Sequence, residues 1–235
     1  MTAGELGSKL DSYVTERGAA FTAFADLGIL PAGSRMGLPT GVLIGLALAP
    51  EIVAGIGRGP TPEYAAEYNR ANEKLEFLAE ECAAFLIGNG YRAEPGKPSM
   101  YIRDRSALKT DLPHKTVATL AGVGWIGKCA LLVTRRWGSA VRYNVVLTDA
   151  PLPAGTPLLE SECGDCIRCV EECPAGAPLG VEWRAGMERE ELYNAVACRD
   201  CARRLAVAIG SNRTICGICI AACPHTEAYI SRNGG

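Results

Sequence analysis

Apolar residues recur along the first 150 positions with a helical period in some stretches and as short unbroken runs in others. The longest helical stripe passes through Tyr64, Tyr68, Ala71, Leu75, Leu78, Cys82 and Phe85, whose spacings alternate between four and three and so share one helix face. Thr61 suits the N-cap, Pro62 the first helical position, and "GNG" at 88–90 supplies the stop. Cys82 on that stripe reads as a buried structural thiol, and Tyr64 and Tyr68 read as packing residues. Leu6, Leu10 and Tyr13 or Val14 predict a first helix over residues 1 to about 28, with Gly18 weakening its middle. "GVLIGLALAP" is an unbroken apolar run, roughly half the ~20 residues a membrane-spanning helix needs, and reads as a buried strand over 42–48.

Further on, "EPGKPSMYI" reads as a loop entering a short strand. "PHKTVATLA" is a short helix with Val117, Leu120 and Ala121 on one face. "CALLVT" (129–134) and "VRYNVVLT" (141–148) are strands joined by the turn "RRWGSA". "DAPLPAGTPL" is a Pro-rich linker. The pattern predicts an α/β (α+β) domain over 1–155. A segment over 156–235 follows, with too few apolar residues to build a core of its own, so something else must organise it.

Composition narrows the class. The 235 residues are 48% hydrophobic and 21% charged, with a formal net charge of −2. That balance gives no overall positive field for nucleic acid or an anionic membrane. The start of the chain lacks a basic stretch followed by an apolar one, so the expected location is cytoplasmic, with no membrane partner. Nine of the eleven cysteines follow Ser161, and such clustering in a cytosolic chain points to metal rather than disulfides.

The first run, "CGDCIRCVEECP", is Cys163-x2-Cys166-x2-Cys169-x3-Cys173-Pro174. This is the bacterial ferredoxin spacing, in which three thiolates grip one 4Fe-4S cluster and the fourth reaches a second. "CGICIAACP" repeats it one cysteine short as Cys216-x2-Cys219-x3-Cys223-Pro224, and Cys198 can supply the missing ligand. Crossed pairing then assigns Cys163, Cys166, Cys169 and Cys223 to one cluster and Cys173, Cys198, Cys216 and Cys219 to the other. Cys201 could replace Cys198. Zinc also takes Cys-x2-Cys pairs, but it needs neither the triple spacing nor two trailing Cys-Pro steps.

"AGVGWIGK" contains Gly122-x-Gly124-x-x-Gly127, formally a dinucleotide fingerprint. That motif requires a preceding strand and a following helix, and here the order is helix, loop, strand, which excludes it. The loop could instead line a flat cofactor with Trp125 and Lys128, or be a tight turn around a core Trp.

"LAGVGWIGKCALLV", "GSAVRYNVVLTDAPL", "CGDCIRCVEECPAGA" and "ICGICIAACP", in that order with a lone Cys before the last, resemble epoxyqueuosine reductases. More distantly they are similar to the iron–sulfur half of corrinoid reductive dehalogenases. The resemblance is specific from about His114 to His225. It implies a small ferredoxin-like domain with two 4Fe-4S clusters, the same eight cysteine ligands, and a cobalamin held by the α/β domain near Gly122, Gly124, Trp125, Gly127 and Lys128. Reduced ferredoxin or flavodoxin would be the electron donor. The family's tRNA-modifying members continue past the last Cys-Pro into a helical-repeat domain that helps hold tRNA, whereas this chain stops at Gly235. With the net charge, this favours a small-molecule substrate over tRNA.

The family's catalytic Asp falls on Leu108 when counted without gaps. Asp111 could take the role with a shift of a few residues, and His114 is a second candidate proton donor. His225 is expected to shield a cluster or hydrogen-bond to it. Arg103 and Arg105 either pair with corrinoid amides or a substrate carboxylate, or form a solvated strand edge. The expected function is a 4Fe-4S oxidoreductase using a corrinoid. The alternatives are a dicluster electron carrier without catalysis and a reductase bearing FMN.

Overall fold

The computed structural model describes residues 1–96 and 108–233. Arg103, Arg105 and the strand expected after "EPGKP" lie outside them. In chain order the elements are α1 (Ala3–Glu16), β1 (Phe21–Asp26), β2 (Thr40–Ala47), α2 (Pro50–Ala54), α3 (Pro62–Gly88), β3 (Ala93–Pro95) and α4 (His114–Leu120). There follow β4 (Trp125–Ile126), β5 (Leu132–Val133), β6 (Val141–Thr148), α5 (Arg168–Glu171), α6 (Arg189–Leu192), α7 (Ala195–Ala208), α8 (Ile218–Ala221) and α9 (Pro224–Asn233).

The chain divides into two compact units, each built from three segments. The first comprises Met1–Leu46, Ala71–Val123 and Arg142–Leu158. It carries the main part of a four-stranded sheet of order β1-β2-β6-β3, in which β1 pairs antiparallel with β2 and β3 with β6. Strand β2 is buried along nearly its whole length, as an apolar run in a central strand should be. Helices α1 and α4 pack on β1, and Leu6, Leu10, Val14, Leu43, Ile44, Leu75, Leu78 and Val117 are all at most 1% exposed. Cys82 lies in this core, where burial pushes its thiol up to about 12.

The first helix is shorter than its periodicity predicts. A capping box between Thr2 and Glu5 starts it, and the chain turns at Gly18, whose φ of 101° is poorly suited to a residue with a Cβ. Phe21 to Asp26 is strand, because its residues pair with β2 and tertiary pairing overrides a helical reading. Pro95, expected in a loop, ends β3 at the edge of the sheet, where a missing N–H is tolerated.

The second unit comprises Ala47–Arg70, Gly124–Val141 and Leu159–Gly235. Its apolar centre is shared between the cysteine-rich tail and earlier segments. Ile126 and Ala130 cluster with Leu192 and with Trp183, Met187 and Tyr193. Helix α9 packs on α2, and the Tyr229 hydroxyl donates to the Leu48 carbonyl at 2.8 Å. The expected strand 129–134 shrinks to β5, which forms a short antiparallel hairpin with β4. Among the described residues no helix is long and apolar enough to cross a membrane.

A candidate iron–sulfur centre in the second unit

The two cysteine runs fold alike. Each begins with a Cys-Gly step whose glycine has positive φ, 53° at Gly164 and 95° at Gly217. Each then enters one turn of helix, α5 holding Cys169 and α8 holding Cys219, and these two helices pack together. Pro224 opens α9 at the first helical position, where its missing N–H costs nothing.

The sulfurs are met by hydrogen-bond donors. Trp125 Nε1 points at Cys163 Sγ at 3.4 Å and Ala177 N at Cys173 Sγ at 3.5 Å. The Ile218 N–H serves Cys216, and the backbone N–H groups of Thr226 and His225 serve Cys223. The Tyr193 hydroxyl bonds to Cys198. Burial raises the Cys198, Cys216 and Cys223 thiols above their ordinary range, while these donors work in the opposite direction. Such an environment favours thiolates only once a cation replaces their protons, so binding of iron would release protons.

Electrostatic proximity sorts the thiols. The Cys163 sulfur acts on Cys223, and Cys166 and Cys223 both act on Arg168 in α5. Cys216 feels Cys198, Cys201 and Cys173, while Tyr193 feels Cys198, Cys219 and Cys173. Cys201, on the same helix as Cys198, is buried and accepts from Arg204 Nη2 at 3.6 Å. Among the described residues no three Cys, His, Asp or Glu side chains converge on one ion-sized point. The chemistry of the donor set, soft sulfur ligands with N–H donors aimed at them, fits iron–sulfur clusters.

The glycine loop has protein partners at each of its five named residues. A Cβ on Gly122 would strike the Thr156 carbonyl, and one on Gly124 the Val133 carbonyl. A Cβ on Gly127 would lie 2.8 Å from Val133 Cγ2 and 3.5 Å from Cys163 Sγ. Trp125 is fully buried, with the His225 ring edge-on at 5.1 Å. Lys128, 5% exposed, donates from Nζ to the Gly164 carbonyl at 2.6 Å. The glycines are thus explained by close backbone approach, and Trp125 and Lys128 clamp the first cysteine loop. As the sequence predicts, α4 precedes Gly122 and β4 follows Gly124, the reverse of the strand-then-helix order of a dinucleotide-binding turn.

His114 and Asp111 belong to the first unit. His114 opens α4, with its Nε2 3.4 Å from where a Cβ on Gly96 would sit. Burial lowers it to about 4, outweighing a hydrogen bond to the Tyr143 backbone that raises it, and nearby Arg142 lowers it further. It is therefore neutral at pH 7 and has no imidazolium proton to deliver. Asp111 is exposed, and Leu108 takes a positive φ of 53°. His225 meets Cys223 through its backbone and Trp125 through its ring.

Two contributors were not singled out from the sequence. Tyr193 gives no local signal, since only folding brings its hydroxyl to Cys198. Cys129, read only as the first residue of a strand, is buried, with its Sγ 3.6 Å from where a Cβ on Gly127 would sit. The one hint is its place directly after the glycine loop.

No protein-family model matches the chain. It is 32% identical over 108 residues to an epoxyqueuosine reductase of Pseudomonas aeruginosa, a match covering 46% of this chain and 27% of that protein. The shared segment thus spans little more than a quarter of that relative's length. In three dimensions it superposes on a reductive dehalogenase for which a mechanism of B12-dependent dehalogenation has been suggested. The TM-score is 0.70 and the identity 17%, covering 95% of this chain and 32% of the other. It also superposes on an epoxyqueuosine reductase solved with an epoxyqueuosine-modified tRNA stem loop, with TM-score 0.62 and 21% identity, covering 96% of this chain and 66% of that one.

Proposed function

Starting from this similarity to epoxyqueuosine reductases and a fold shared with a reductive dehalogenase, we propose that the chain is an iron–sulfur oxidoreductase whose second unit acts as a ferredoxin-like module. It holds two 4Fe-4S clusters, one on Cys163, Cys166, Cys169 and Cys223 and one on Cys173, Cys198, Cys216 and Cys219. The observation that carries this reading is the arrangement of the two cysteine runs in one unit, with N–H and O–H donors directed at their sulfurs. Such hydrogen bonds stabilise the reduced, more negative cluster and raise its potential.

The chain's own residues then do three things. Trp125 and Lys128 fix the first cysteine loop, one through its sulfur and the other through its backbone. Tyr193 distinguishes Cys198 from Cys201 by hydrogen-bonding to it, which supports Cys198 as the ligand. Trp125, with His225 against its ring, covers Cys163 and limits access of water to that sulfur.

The electron donor proposed is a reduced ferredoxin or flavodoxin, and the substrate a small molecule. The corrinoid proposal is supported by the likeness to the dehalogenase, with Gly122, Gly124, Trp125, Gly127 and Lys128 as the residues proposed to lie near it. Asp111 keeps the proposed role of proton source.

The test is an anaerobic titration of the reduced protein with hydroxocobalamin, followed by absorbance and EPR. A base-off Co(II) signal that converts to Co(I) supports the corrinoid reductase. Unchanged cobalamin beside reducible clusters rejects it, and retained FMN in the purified protein would then mark a flavin reductase.

A further inference from the structure

A lysine in the turn of a short hairpin ordinarily extends into water. The turn between β4 and β5 is closed by the Ala130 N–H donating to the Gly127 carbonyl at 2.8 Å and the Gly127 N–H donating to the Leu131 carbonyl at 2.9 Å. Lys128 lies within it, yet it is only 5% exposed. Its Nζ donates to the Gly164 carbonyl at 2.6 Å, in the residue next to Cys163. Its neighbours face the same way. Trp125 Nε1 is 3.4 Å from Cys163 Sγ, and a Cβ on Gly127 would lie 3.5 Å from that sulfur.

Among the described residues no carboxylate pairs with this ammonium. Of the two acidic residues beside Cys163 and Gly164, Glu162 is held by Arg135 at 2.7 Å and Asp165 is exposed. Arg135 shows the contrast, since its side chain is 74% exposed and has a carboxylate partner. Lys128 has three N–H donors and one carbonyl to receive them. A cation removed from water in this way is costly unless an anion stands near it. The anion that the first cysteine loop offers is a cluster with four thiolate ligands, which is negative in both redox states and more so when reduced.

We propose that Lys128 is a positioning residue whose ammonium is the fixed counter-charge of the cluster on Cys163, Cys166, Cys169 and Cys223, and that it raises the reduction potential of that cluster. The inference rests on the two-cluster reading above. A fixed positive charge in a poorly solvated site favours the reduced, more negative state. The role goes beyond tethering the loop, because a tether needs only an N–H on the Gly164 carbonyl, whereas a counter-charge needs the cation.

The experiment separates those two roles by comparing the full-length chain with K128R, K128Q and K128M, all purified without oxygen. Iron and sulfide are counted, and each cluster's midpoint is measured by EPR-monitored redox titration. Arginine keeps the charge, glutamine keeps an N–H donor without charge, and methionine keeps neither. Expected are about eight irons in every protein and a more negative midpoint for one cluster in both K128Q and K128M, the other cluster moving less. At the wild-type midpoint the reduced-to-oxidised ratio of the affected cluster should fall by about tenfold, 59 mV for a one-electron couple. K128R should stay near wild type. Loss of about four irons from K128Q and K128M but not from K128R would support the same role through a larger effect. Full iron with unchanged midpoints in K128Q overturns the proposal, because the donor alone then suffices. Equal shifts of both clusters, a K128R shift as large as that of K128Q, or iron loss from all three variants overturn it as well. A wild-type protein that takes up no clusters refutes the underlying two-cluster reading instead, a result visible before any variant is made.

Discussion

The thiols of the second unit and the imidazole of the first are both largely removed from water, yet their surroundings differ in kind. Around Cys163, Cys173, Cys198, Cys216 and Cys223 the neighbours are N–H and O–H donors, aimed at sulfur and suited to negative charge. Around His114, burial and Arg142 disfavour positive charge, and the one opposing contact is to the Tyr143 backbone. The first environment is built to hold a charged ligand, the second to keep a ring neutral. Burial alone is therefore a poor guide to chemistry, and the partners decide.

The largest expected effect tests the first side of that contrast. Cys173→Ser or Cys216→Ser should remove one cluster and leave about four of about eight irons. Cys82→Ser, in the first unit's core, should leave iron content unchanged, and chemical iron and sulfide analysis reads both. Equal loss in all three would mean that the thiols respond to general destabilisation. The Cys198 and Cys201 pair sharpens the same point. Cys198→Ser should lose iron and Cys201→Ser should keep it, because Tyr193 faces Cys198 while Arg204 faces Cys201.

Seven of the eight proposed ligands rest on local spacings of two and three residues, whereas Cys198 stands 18 residues ahead of Cys216 and its choice over Cys201 depends on the fold. Strand β2 and helix α3 were legible for a similar reason, an apolar run and a stripe that need no distant partner to be recognised. The glycine loop was legible as a loop but not in its contacts. What Gly122, Gly124 and Gly127 face is set by Thr156, Val133 and Cys163, which no local pattern foretells. The helix expected across Phe21–Asp26 failed because pairing with β2 prevails over periodicity. The boundary expected near residue 155 could not reveal that 47–70 and 124–141 join the tail in one unit, since this depends on long-range packing.

The next effect tests the histidine side. Its pKa in the folded protein lies below that of the unfolded chain, so its contribution to stability is full above about 6.5. That contribution is lost progressively as pH falls from there towards about 4. Denaturation midpoints of wild type and His114→Gln should diverge across that window, with the wild type losing on the order of 2 kcal/mol more on acidification, after allowance for partial solvent access. Parallel pH profiles would show that His114 is already well solvated.

The smallest effect returns to the clamp. Trp125→Phe retains the ring and deletes the N–H that meets Cys163 at 3.4 Å. Iron content should hold, and the midpoint of the cluster on Cys163 should become more negative while the other stays in place, as redox titration would show. A shift of both, or of neither, would break the assignment of Trp125 to one cluster.

The most direct test of the account is metal and sulfide analysis of the anaerobically purified wild-type chain, combined with EPR after reduction. About eight irons and eight sulfides per chain, with spectra of two neighbouring reduced cubanes, are predicted. Zinc in place of iron, or iron for a single cluster, would contradict it.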